Sequence, residues 1–230
     1  MIDFSSFINK EPETIEQIKE SLKFLNQILD YGVKGVGPLS SAVELAESYK
    51  NKSSYSSIPK KVNALARIEG TKNFTSGFLT SLGGIITLPV MIPISLGLNL
   101  VIQTRMVAAM AHLGGFDIEE PGVKVSIALC LLGKRGKEII NANPSDFGNL
   151  FRSGNLSHFP KKSLLILNRI VAIQLMKVAT QKGFIRVSKA IPIFGGIVGG
   201  VLDFHSCYET SEFAKELFKL SDQTTVQKSD

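Results

Sequence analysis

Between Ile15 and Leu29, apolar side chains recur at Ile15, Ile18, Leu22, Leu25 and Leu29, in steps of three and four. Glu16, Glu20 and Lys23 take the opposite face. That spacing predicts an amphipathic helix over 13–31, with Pro12 in its first turn and Gly32 as its stop. A Gly-rich connection leads to a second helix carrying Val43, Leu45, Ala46 and Tyr49. After the polar loop 51–57, Pro59 opens a third, over 59–71, with Val62, Leu65, Ala66 and Ile68 inward. The pattern then changes. From Asn73 to Thr104 no side chain is charged, and Pro89 and Pro93 interrupt the run. An uncharged stretch of this length is a candidate membrane helix. Two prolines in its middle break a straight helix, since each lacks an N–H and clashes with the preceding turn. The expectation is a helical hairpin over 74–104 with its elbow at Pro89–Pro93.

Beyond the elbow, Pro93 is placed to start a helix running to about Leu113, ended by Gly114-Gly115. Pro121 starts a short apolar helix to Leu132, closed by the charged cluster Gly133–Lys137. Asn143-Pro144 and Gly154–Pro160 read as loops. A basic amphipathic helix is expected over 161–181, with Leu164, Leu165, Leu167, Val171, Leu175 and Val178 apolar. An apolar, Gly-rich stretch over 190–202 then grades into a last helix through Phe213, Leu217 and Leu220. No run alternates with a period of two. The fold class expected is all-α: a multi-helix bundle around a central Gly/Pro-rich apolar hairpin. Three parts are expected: an N-terminal helix and linker (1–34), a helical domain (35–220) and a polar tail (221–230).

Charge adds a surface to this picture. The net charge of +6 is unevenly spread: residues 143–189 hold 8 basic and 1 acidic side chains, and 51–72 hold 5 and 1, while both ends of the chain are acidic. Lys60, Lys61, Arg67, Lys72, Lys161, Lys162, Arg169, Lys177, Lys182 and Arg186 form the candidate anionic-surface set. These stretches lack interleaved exposed aromatics and any known binding module, so nucleic acid is not the expected partner. The N-terminal residues show no basic stretch followed by an apolar one, so no signal peptide is expected. Cys130 and Cys207 are expected as buried free thiols in a reducing compartment.

Searches for catalytic patterns return little. The three histidines are scattered, and there is no His-Glu-x-x-His, Cys-x-x-Cys, Gly-x-Ser-x-Gly or complete phosphate loop. The chain is therefore expected to be non-enzymatic, without metal or cofactor. Gln103, Arg105 and Asp203 are candidate buried polar residues beside apolar runs, with Arg105 and Asp203 meeting if the two Gly-rich elements pack. Gly195, Gly196, Gly199 and Gly200 are the packing set on the second element, because small residues let helix backbones approach.

Ala66-Arg67, Gly77-Phe78, Gly84, Pro89, Pro93, Gln103-Thr-Arg105-Met106, Ala111, Gly115, Cys130-Leu-Leu-Gly133 and the closing motif Ala190-Ile-Pro192-Ile-Phe-Gly195-Gly-Ile-Val-Gly199-Gly200 occur in this order. Together they resemble the EcsC protein family over about Gly35 to Phe218. The resemblance implies an accessory role beside an ABC-type membrane transporter and carries no catalytic residues.

The functional expectation joins these strands. Cationic flanks at both ends of the uncharged run suit a re-entrant hairpin on the cytoplasmic face of a membrane. A leg of about 15 residues is roughly 22 Å long, short of the ~30 Å hydrocarbon core. Gly77, Phe78, Gly83, Gly84, Leu88, Pro89, Met91 and Pro93 would make the lipid contact, while the basic helices engage anionic lipid or a membrane protein complex. The alternative is a soluble interaction or ligand-binding domain with the hairpin buried as its core.

Overall fold

A computed structural model describes residues 14–72, 94–154, 156, 159–188 and 195–221. Among them every regular element is helical, and the chain is all-α as the spacing predicts. The elements are α1 (Ile15–Lys34), α2 (Ala42–Lys50), α3 (Ile58–Lys72), α4 (Ile94–Leu113), α5 (Pro121–Cys130), α6 (Lys134–Ala142), α7 (Asn149–Ser153), α8 (Lys161–Ser188) and α9 (Gly195–Leu217). A single π-turn at Pro144–Gly148 leads into α7.

The first helix starts and stops for reasons readable in its ends. Thr14 is the N-cap: its hydroxyl accepts from the Gln17 backbone N–H, while the Gln17 side chain accepts from the Thr14 N–H. Thr14→Ala should lower thermal stability by about 1 kcal/mol, the usual worth of such a cap, and an unchanged melting curve would contradict this. The stop is Gly35, at φ +81°, and Gly32 lies inside the helix. Gly32 has a different task, since it packs directly on Thr104 of α4. The apolar stripe also begins later than the spacing implies: Ile15 is 74% exposed, whereas Phe24, Leu25 and Ile28 are buried.

α4 is the axis of the fold. From Gly97 to Ala111 it is buried, apart from half-buried Leu100, with α1, α2, α3 and α9 packed around it. It is apolar on every side, as a helix enclosed by others can be. α9 runs parallel to α4, because Ser206 meets Gln103, Cys207 meets Met106 and Phe218 meets Phe116. α3 runs the other way. Glu69 pairs with Arg105, while Ile58 and Pro59 lie with Leu113 and Gly114 at the far end. α8 begins beside Pro121 and Val125, passes Arg135 at Gln174, and continues for about four more turns to Ser188.

Several boundaries differ from those expected. Gly133, at φ +55°, turns the chain and leads into α6 rather than closing a helix. Asn143-Pro144 opens the π-turn and α7, so part of that loop is helical. α8 extends to Ser188, and the Gly-rich stretch from Gly195 forms one continuous helix with the C-terminal segment.

Candidate functional site

Two polar clusters interrupt the apolar surface of α4, centred two residues, about half a turn, apart and so facing opposite neighbours. The first is centred on Arg105, whose side chain is 7% exposed. Its Nη1 donates to Glu69 Oε2 at 2.9 Å, its Nε to the Ser40 carbonyl at 2.7 Å, and its Nη2 to Ser40 Oγ at 2.8 Å. Glu69 is 1% exposed. Both charges are out of water, so the pair persists only because each guanidinium nitrogen has an acceptor. The three bonds tie α3 and the α1–α2 connection to α4. Beside them the buried Tyr49 ring, 3% exposed, has its phenol pushed up to about 12 by burial and by the Glu69 carboxylate.

The second cluster is amide and hydroxyl. Gln103 Nε2 donates to Asn99 Oδ1 on the same helix and, at 3.4 Å, to Ser206 Oγ on α9. Its Oε1 accepts from the Thr210 hydroxyl at 2.9 Å. A buried polar network of this kind fixes one helix against another in a single register. Arg105 thus sets α3, and Gln103 sets α9, against the same central helix.

Of the three buried polar candidates, Gln103 and Arg105 are buried as expected. Among the described residues the Arg105 guanidinium rests on Glu69 and Ser40. Asp203 lies in α9, and its side chain is outside the described residues, as are the surroundings of Gly195, Gly196, Gly199 and Gly200. The hairpin set Gly77, Phe78, Gly83, Gly84, Leu88, Pro89, Met91 and Pro93 also lies outside them. Glu69 and Ser40 were missed because neither stands in an apolar run. A lone acid on the inward face of α3 was the available signal.

The cationic set separates into groups. Lys61 Nζ donates to the Lys50 carbonyl at 2.5 Å, and Lys60 Nζ to Ser56 Oγ at 3.2 Å, so both serve the local join of α2 and α3. Lys161, Lys162 and Arg169 are exposed near the start of α8, and Lys177 is half-buried. Lys72, Lys182 and Arg186 belong to the last turns of α3 and α8, at the other end of the bundle, with Arg67 exposed on α3 nearby.

Reactive chemistry is sparse here. Cys130 and Cys207 are free and buried, and burial pushes the Cys130 thiol up, away from thiolate. Among the described residues no three His, Cys, Asp or Glu side chains group as metal ligands. One described stretch, Lys161–Thr180, is long and apolar enough to cross a membrane by length and composition. It packs against α1 and α5 and includes Lys161, Lys162, Arg169 and Lys177, so it forms a wall of the bundle. Comparison with known families, curated proteins and solved structures returns no match for this chain.

Proposed function

We infer that this is a non-enzymatic helical protein that docks one end of its bundle on an anionic membrane surface, presenting the uncharged segment 73–93. Membership of the EcsC family, and a membrane protein complex as neighbour, belong to the same proposal. One observation carries it. α3 ends, α4 begins, α8 ends and α9 begins toward a single pole, so Lys72, Ile94, Ser188 and Gly195 share that side of the bundle. The sequence between Lys72 and Ile94 is uncharged and holds both elbow prolines, while Lys72, Lys182 and Arg186 fall in the last turns of the two helices that end there. An apolar centre within a cationic collar suits a bilayer with anionic headgroups, each nearby cation contributing around 1 kcal/mol.

The enclosure of α4 narrows the reading. Residues 97–104 are walled by protein, so that part of the expected hairpin is core and the lipid contact falls to 73–93. The alternative of a soluble domain with the whole hairpin inside draws on this same enclosure. Co-flotation with vesicles separates the two. The expected result is binding to phosphatidylserine vesicles, partly resistant to high salt, with the resistant part lost in Leu88→Lys. Lys182→Glu with Arg186→Glu should weaken binding at low salt, while Lys161→Glu with Lys162→Glu should not. Absence of flotation at low and high salt would favour the soluble alternative.

A further inference from the structure

We propose that the groove between α1 and the start of α8 is a docking site for an acidic amphipathic helix of a protein partner. The groove has a volume of about 710 Å³ along α1 from Lys19 to Lys34, and it adjoins a second space of about 410 Å³ reaching Lys161 and Leu165. Its floor is apolar. Leu22 is half-buried, and Leu165, 73% exposed, is among the most exposed large apolar side chains of the described residues.

The rim supplies the charge preference. Lys34 is paired with Asp30 at 2.7 Å and Lys124 with Glu119 at 2.5 Å. Lys19, Lys23 and Lys161 are exposed and have no ion pair among the described residues. Among the described residues the lining lysines outnumber the lining carboxylates Asp30 and Glu119, so both walls carry net positive charge, which complements carboxylates. Gln27 also lines the α1 wall, and its Oε1 atom is buried with no hydrogen-bond partner among the described residues.

The shape of the occupant follows from the walls. Helices expose no backbone edge, so an extended segment laid here would leave its own N–H and C=O groups unmet. A helix satisfies them internally and needs only side-chain contacts at i, i+3, i+4 and i+7. The sixteen-residue run from Lys19 to Lys34 is about 24 Å long, which matches a partner helix of a little over four turns. Leu at the anchor positions would cover Leu22 and Leu165, with Glu reaching Lys19, Lys23 and Lys161. The groove is built from α1, the start of α5 and the start of α8, and its test uses no lipid, so this inference stands without that reading.

The test uses the full chain and a fluorescein-labelled sixteen-residue helical peptide with Leu anchors and Glu rims, read by anisotropy without lipid. The expected result is saturable micromolar binding, weakened at least tenfold by Lys19→Glu with Lys23→Glu and by Leu165→Asp. The equal charge reversal Lys52→Glu with Lys60→Glu should change it less than twofold, and a peptide with Lys in place of Glu should not bind. Binding that ignores residues 19, 23 and 165, or no binding at all, would overturn the proposal. So would self-association of the protein that disappears in Leu165→Asp, which would make the occupant a second copy of this chain.

Discussion

Arg105→Ala is expected to lower the stability of the bundle by roughly 3–5 kcal/mol, as breaking a buried ion pair does when one charge is left behind. Glu69, 1% exposed, loses its guanidinium partner, and Ser40 loses both of its bonds to Arg105 at the same time. Such a loss is a large fraction of the ~5–15 kcal/mol that holds a typical domain. Urea denaturation followed by circular dichroism measures it. The replacement of both charges is the sharper comparison. Arg105→Met with Glu69→Leu removes the desolvation cost along with the attraction, so it should recover most of the loss. A single variant costing under about 1 kcal/mol would mean that the pair is open to water and contributes as surface pairs do. The structural consequence lies at the end of α3: loss of the Arg105 bond loosens the helix three residues before its last residue, Lys72.

How far the sequence discloses this arrangement depends on what kind of physics sets each feature. Helix type follows from local periodicity, although the short α6 and α7 were not expected, and α4 ends at Gly114-Gly115 as expected, with Gly115 at φ +87°. Boundaries set by long-range packing were less legible. Gly32 reads as a stop because glycine commonly ends helices, but here the next glycine, Gly35, takes the positive φ and Gly32 is a contact point. Arg105 was visible as a polar residue beside an apolar run. Its partner was not, because Glu69 looks like any acid on a polar helix and the pairing spans thirty-six positions. The same limit applies to the cations. As a list they suggest one basic surface, while the antiparallel course of α3 puts Lys60 and Lys72 at opposite ends of the bundle. Direction of helices relative to each other is a tertiary property, and spacing along one chain does not encode it in readable form.

Gly32→Ala is expected to destabilise the protein by about 1–3 kcal/mol through overpacking, against the propensity rule that favours alanine in a helix by up to about 1 kcal/mol. The decision rests on what the new methyl would meet. It would stand 2.5 Å from Thr104 Cβ and 3.1 Å from the Arg105 backbone nitrogen. Thr104 has little freedom to yield, being β-branched and fully buried, with its hydroxyl donating to the Leu100 carbonyl at 2.7 Å. The clash therefore pushes α1 away from α4 as a body. Gly70→Ala is the control of opposite sign. Its methyl would touch only Cys207 Sγ at 3.5 Å, an ordinary contact, so helix propensity should prevail and the variant should gain up to about 1 kcal/mol. Equilibrium unfolding of the two variants beside the parent reads both signs in one experiment. A stabilised Gly32→Ala would mean that α1 rests loosely on α4. The α1 wall of the groove would then lack a fixed position, and peptide binding there would lose its structural basis.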